Sequence, residues 1–219
     1  MVKPHSSTKR SKPSHPAPRP DRETRERILD AAREMFVERG YEATTMRAIA
    51  DRIEYTPTAI YHHFRNKEAL LAELCAADFR ALGSAFQKIG RIEDPIERLR
   101  RSGQTYIEFG LRHPMQYQLM FMTRKPTEVL TGLRSTDPSE GAYAFLQQTC
   151  ADAIATGRIR SEYQDPAELA MMAWSTLHGF LSLRIVKQDD EWIRWGDPQV
   201  TATRLCNALL EGVLREQPG

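Results

Sequence analysis

The chain has 219 residues, room for one large domain or two small ones, and 41% of them are hydrophobic, which supports a buried core and excludes a chain disordered throughout. A net charge of +2 conceals an uneven spread: residues 1–70 hold 14 Lys and Arg against 10 Asp and Glu, while the other 149 hold 17 against 19, so a polyanionic partner is expected at the N-terminal end alone. Unbroken apolar runs stay far below the roughly 20 residues of a membrane span, and the first thirty residues lack the apolar stretch of a secretory signal, so a cytoplasmic protein with no membrane contact is expected.

Residues 1–20 set Pro4, Pro13, Pro16, Pro18 and Pro20 among Ser, Lys and Arg with almost no apolar side chain, so this tail is expected to be disordered. Its Lys3, Lys9, Arg10, Lys12 and Arg19 suit either phosphate tracking or a passive solubilising role. From Asp21 the spacing turns helical. Ile28, Leu29, Ala32, Phe36 and Val37 recur at three- and four-residue steps out to Arg39, and Gly40 supplies a stop that calls for positive φ. A second short helix carries Met46, Ile49, Ala50 and Ile53 on one face, with Thr44 as its expected N-cap. A third starts at Thr56, with Pro57 at the first helical position where the missing N–H costs nothing, and sets Ile60 and Phe64 four apart. Asn66 caps a fourth, which opens Lys67-Glu68 and continues through Leu70, Leu71 and Leu74.

Further on, Asp94-Pro95-Ile96-Glu97 and Asp165-Pro166-Ala167-Glu168 each combine a capping box with proline at the first position, and Asp197-Pro198 repeats the cap. These signals predict helices over 94–112, 114–122, 140–156, 165–187 and 197–215. Breaks are expected at His113-Pro114, from Lys125-Pro126 to Pro138, and at Gly157. No stretch alternates as a strand does. The fold class is therefore all-α: a tail over 1–20, a three-helix helix-turn-helix domain over 21–68, and a larger helical body over 69–219.

Two short helices joined by a tight turn and packed on a longer one form a helix-turn-helix, whose second helix lays its leading residues against base edges in the major groove. Exposed helix starts also gather free N–H groups suited to phosphate. The spacing of Gly40-Tyr41, Thr44-Thr45, Arg47-x-Ile49-Ala50, Thr56-Pro57, Ile60-Tyr61 and Phe64-x-Asn66-Lys67-Glu68-x-Leu70-Leu71 closely resembles the TetR family of bacterial regulators. That resemblance implies a two-fold dimer that represses promoters and releases double-stranded operator DNA on binding a small molecule. It puts Thr44, Thr45 and Lys67 on phosphates from helix starts and the Tyr61 hydroxyl on the backbone. It turns Thr56, Pro57, Thr58, Ala59 and His62 towards the groove, and lets Arg47 reach a base or a phosphate. Threonine methyls can meet a thymine methyl, and an imidazole can read a purine edge. Phe36, Ile49, Ile60 and Phe64 read as core. Tyr61 could instead cap that small core, His62 could be inert, and His63 reads as a solvated or packing residue. Two positions depart from the family pattern: Glu54 stands at the turn where glycine is usual, and Thr58 replaces a common small residue on the reading helix.

In the body, Trp174-x-x-x-His178-Gly179 followed by Leu181 and Leu183 resembles the Trp-His-Gly subclass of sensor domains in that family, and His113-Pro114-Met115-x-Tyr117-x-Leu119-Met120-Phe121 resembles the segment it places before the ligand cavity. Trp174 and His178 share a helix face, and Gly179 would let another backbone come close. Tyr106, Phe109, Tyr117, Met120, Phe121, Phe145, Met171, Trp174 and His178 are the candidate lining of a site for a small apolar or aromatic effector, with an ordinary helical core as the competing reading. The last two helices would pair with their symmetry mates in a homodimer, as the resemblance implies, with Leu205, Ala208, Leu209, Gly212 and Val213 giving the final helix an apolar side. Cys75, Cys150 and Cys206 are far apart and odd in number, with no metal-ligand spacing to histidine, so no disulfide framework, metal or cofactor is expected; buried apolar packing is the plain reading and thiol sensing the other. No nucleophile or paired carboxylate stands at a recognisable spacing from His113 or His178, which argues against an enzyme. A regulator or activator without a ligand stays open beside the ligand-responsive repressor.

Overall fold

With Ile28, Ala31, Ala32, Met35 and Phe36 on one side and charges on the other, α1 (Pro20–Glu38) is amphipathic, and Gly40 ends it with φ of 84°. The computed structural model describes residues 20–132 and 141–215, so the tail expected over 1–20 lies, but for Pro20, outside the described residues. The N-cap of α2 (Met46–Arg52) is Thr45, whose side chain accepts from the Ala48 N–H at 3.1 Å. The expected cap, Thr44, is instead fully buried, with its hydroxyl against the carbonyls of Met35 at 3.1 Å and Gly40 at 2.8 Å. The Gly40 carbonyl lies past the end of α1, outside its hydrogen-bond ladder, and accepts from this hydroxyl, while the Met35 carbonyl also accepts the Arg39 N–H at 3.0 Å. The following turn carries Glu54 at φ 60° and leads into α3 (Pro57–His63), where Thr56 caps the Ala59 N–H at 3.3 Å. Asn66 caps α4 (Lys67–Ile89).

The first core joins Phe36, Ile49, Ile60 and Phe64 to Leu70, Leu71 and Leu74 of α4. The boundary expected at residue 68 therefore falls at the start of a helix whose first two turns belong to the core of the helix-turn-helix domain, the reader that its sequence leads one to expect. The same helix reaches the second core through Leu82 and Phe86. Arg25 pairs with Glu73 and Arg33 with Asp78, tying α1 to α4.

The body continues with α5 (Pro95–Arg112), α6 (Pro114–Tyr117), a π-helical turn over Gln118–Met122, α7 (Thr127–Gly132), α8 (Ala142–Ala155), a 3₁₀ turn over Ser161–Tyr163, α9 (Pro166–Val186) and α10 (Pro198–Val213). The single helix predicted over 114–122 is thus α then π, and α7 occupies part of the expected break, held by Val129 in the first core. One isolated antiparallel bridge, Ile159–Leu214, is the nearest thing to a strand among the described residues. The central element is α5, which contacts α4, α8, α9 and α10. Two of its residues have no side chain for a packing reason: a Cβ on Gly103 would lie 2.5 Å from Cys206 Sγ, and one on Gly110 would lie 2.3 Å from Leu181 Cδ2. All three cysteines are buried.

Among the described residues one helix, α9, is long and apolar enough to cross a membrane, although Ser175, Thr176 and His178 break its apolar runs. It serves two apolar faces. Leu169, Ala173, Leu177 and Leu181 point into the body, while Met171, Leu183 and Val186 are exposed. The final helix differs from expectation: Val213 is buried and Leu205 and Leu209 are turned inward, so its outward face is Val200, Arg204, Ala208 and Gly212.

Candidate nucleic-acid interface and ligand cavity

The outer face of the two short helices presents a polar surface. Ile60, with no exposed area, and Phe64 fix the inner side of α3, so Thr56, Thr58, Tyr61 and His62 are left outward, with Tyr61 54% exposed. Pro57 and Ala59 lie at its shoulder, half-buried, and Thr45 and Arg47 at the start of α2 are exposed. Thr45 and Thr56 each use a lone pair on a backbone N–H, which leaves the hydroxyl proton free to donate outward.

Two expected phosphate contacts stand differently. Thr44 is withdrawn from this surface, because its hydroxyl is used inside the protein. Lys67 folds back: its Nζ donates to the Tyr41 carbonyl at 2.8 Å and lies 4.1 Å from the centre of the Tyr41 ring. Two of its three N–H donors are still unspent there.

In the body, a cavity of about 1060 Å³ opens among α4, α5, α8, α9, α10 and the turn after the π-helical segment. Six of the nine expected lining residues reach it: Tyr106, Met120, Phe121, Met171, Trp174 and His178. Three do not. Phe109 tilts against His113 at 5.2 Å, Phe145 stacks on Phe86 at 5.5 Å, and Tyr117 is fully buried behind the wall. Helical spacing identifies the face of α5 and α8 that turns inward, but cannot separate side chains at the cavity surface from those one layer deeper.

Tyr117 nevertheless supports the wall through a polar chain. The Trp174 indole, which can only donate, gives its Nε1–H to the Tyr106 hydroxyl at 3.0 Å. Tyr106 lies 2.9 Å from the Tyr117 hydroxyl, and Tyr117 reaches Nδ1 of His178. Every group is satisfied if each hydroxyl donates to the next, which leaves the imidazole proton on Nε2. Burial holds the His178 pKa below its ordinary value, which favours the neutral ring that accepts at Nδ1. Burial also pushes the Tyr106 phenol up to about 12. The cavity thus has apolar and aromatic walls with a few oriented polar groups, the composition of a small-molecule site.

Sequence reasoning missed Phe79 and Phe86 on α4, Tyr143 on α8, and Arg124 and Lys125 in the turn. Their exposure to a shared space depends on how distant helices cross, a fact no local spacing carries. Phe79 meets Phe121 edge to face at 5.6 Å, and Tyr143 meets Trp174 at 5.6 Å.

The chain matches the family model described as bacterial regulatory proteins, tetR family, over residues 28–74, and the one described as tetracyclin repressor-like, C-terminal domain, over residues 99–209. It is similar to the transcriptional regulator UidR of Escherichia coli, with 39% identity over 34% of this chain and 35% of that protein. It is also similar to the transcriptional activator FasR of Mycolicibacterium smegmatis, with 35% identity over 50% of each. These matches span about a third to a half of the relatives' own lengths. A solved regulatory protein in the tetR family from Rhodococcus RHA1, 19% identical, shares the fold with a TM-score of 0.72 across 88% of this chain and 98% of that one. One family model accounts for the reader and the other for the body, and the chain belongs to the TetR family of bacterial regulatory proteins.

Proposed function

We propose that the protein is a sequence-specific DNA-binding transcriptional regulator, acting as a homodimer, whose grip on its operator is lowered by a small, largely apolar or aromatic effector held in the body. The observation that carries the DNA reading is α3: a capped seven-residue helix anchored by Ile60 and Phe64, with Thr58, Tyr61 and His62 left facing outward. Threonine and histidine there are the base readers, Arg47 reaches a base or a phosphate, and Thr45, Tyr61 and Lys67 are the phosphate contacts.

Repression with release is supported by the segment from Met115 to Val129. Met120, Phe121 and Lys125 line the cavity, whereas Leu119 and Val129 pack into the reader's core. One stretch of chain thus touches both effector and reader. An effector acts only if it favours one arrangement of that stretch over the other. Likeness to a protein named an activator favours activation as a second reading, in which the same device serves the opposite sign of regulation.

Selection of bound duplexes from a random pool tests the DNA reading. A near-palindromic product is expected, with affinity falling steeply as salt rises. Thr58→Ala with Tyr61→Ala is expected to weaken binding to that product by tenfold or more, about 1.4 kcal/mol or above. Undiminished affinity in the double variant would remove α3 from the interface.

A further inference from the structure

The cavity's charge is as one-sided as its walls are apolar. Among its described lining residues there are three cations, Arg100, Arg124 and Lys125, and no Asp or Glu. Arg100 is committed elsewhere, to Glu97 at 2.9 Å and Asn207 at 3.1 Å. Lys125, also in the cavity lining, is half-buried, and its ammonium hydrogen-bonds two carbonyls, Met120 O at 2.7 Å and Thr123 O at 3.1 Å. Its electrostatic neighbour is the buried thiol of Cys75, with no carboxylate paired to it among the described residues. Arg124 beside it is exposed, with no ion pair among the described residues.

The plain role of Lys125 is to cap the π-helical turn, and its two bonds do that. A cap does not require a charge withdrawn from water. Two carbonyl dipoles neutralise a full positive charge poorly, and burying an ammonium without a counter-charge is costly. One of its three donors is still unspent. Burial holds the Lys125 pKa below its ordinary range, as expected of a cation lacking its anion.

From this placement we infer that the effector is an anionic amphiphile: an apolar or aromatic body lying against Phe121, Trp174 and Tyr143, and a carboxylate or similar compact anion paired with the Lys125 ammonium, with Arg124 adding long-range attraction at the entrance. The inference rests on the cavity being the effector site. It also gives the effector a hold on the wall that reaches the reader. Lys125 bonds the middle of the π-helical turn, at Met120, to its C-cap, Thr123, and an anion drawing on that ammonium competes with these two carbonyls just where the chain turns towards Val129.

The test uses the full chain and two fluorescent probes of one body, 1-pyrenebutyrate and 1-pyrenebutanol, titrated at neutral pH. The acid is expected to bind about tenfold or more tightly than the alcohol, the scale of a charge-assisted hydrogen bond in a partly desolvated site. Lys125→Met is expected to bring the two to equal affinity, while Lys125→Arg keeps the preference. Equal affinity of acid and alcohol for the parent chain overturns the anionic effector and leaves the cavity as an apolar site. A preference that persists in Lys125→Met overturns the assignment to Lys125. Binding of neither probe overturns this inference together with the effector reading, and leaves the DNA reading to its own test.

Discussion

Glu54 is the one residue other than glycine at positive φ among those described, at 60°. Its backbone closes the turn between α2 and α3, where the Tyr55 N–H reaches back to the Ala50 carbonyl at 2.9 Å. The left-handed conformation crowds a Cβ against the following carbonyl and costs roughly 1–2 kcal/mol, part of which glycine would return through its greater freedom when unfolded. Glu54→Gly is therefore expected to stabilise the protein by about 0.5–1 kcal/mol, seen as a rise of a few degrees in the melting midpoint. An unchanged or lower midpoint would show that the Glu54 side chain compensates for its backbone. Thr44 and Thr45 make the same point about local cause. They are identical neighbours, and only the folded turn decides that one serves the end of α1 and the other the start of α2.

At the scale of the helices, packing explains what the sequence could and could not yield. The caps were legible because each is written within four residues: Thr56-Pro57, Asn66, Asp94-Pro95, Asp165-Pro166 and Asp197-Pro198 all begin helices as expected. The reader's core was legible for a related reason, since all of its residues but Leu119 and Val129 lie close in sequence, and those two were not foreseen. The cavity was legible only in part. Trp174 and His178 were found from one helix face and a motif, and Tyr106 as an aromatic of another helix, whereas Lys125 and Tyr143 arrive from a turn and a third helix. Nor did spacing show which glycine matters. Gly179, expected to admit a close backbone, has nothing within 4 Å in the protomer, while Gly110 is the point where α5 meets α9. A Cβ there would lie 2.3 Å from Leu181 Cδ2 and 3.0 Å from Tyr117 Cδ2. Leu181 can move its tip, but Tyr117 is fully buried and holds His178. Gly110→Ala should thus destabilise by about 1–3 kcal/mol, as overpacking does, and should shift the ring contacts around Tyr117. A chemical-denaturation midpoint equal to that of the parent chain would mean that α5 and α9 separate freely.

The proposed function asks the whole molecule to present two readers, because one three-helix reader covers little of a duplex and two held together bind it far more tightly. The surface offers a place for a second copy. Met171, Ser175, Gly179, Leu183 and Val186 form a continuous outward stripe on α9, at steps of three and four residues, and Leu183 and Val186 are each 57% exposed. Beside it α10 turns out Ala208 and Gly212, with open space at Gly212. Small residues beside exposed apolar ones let two helix pairs approach closely and bury area on both sides. The pairing proposed for α9 and α10 thus predicts a separable lesion. Leu183→Glu with Val186→Glu removes no contact inside the protomer core, so helicity and the chemical-denaturation behaviour of the monomer should persist. The pair of charges should leave the chain monomeric in sedimentation at micromolar concentration. Affinity for the two-half-site duplex should then fall by about 100-fold or more, because the second reader loses the high effective concentration that the first confers on it. Binding to an isolated half-site, weak in both proteins, should not change. A variant that still sediments as a dimer would move the interface off this face. A monomer that keeps full affinity for the paired site would instead mean that one reader suffices, and the case for two-fold recognition would fail with it.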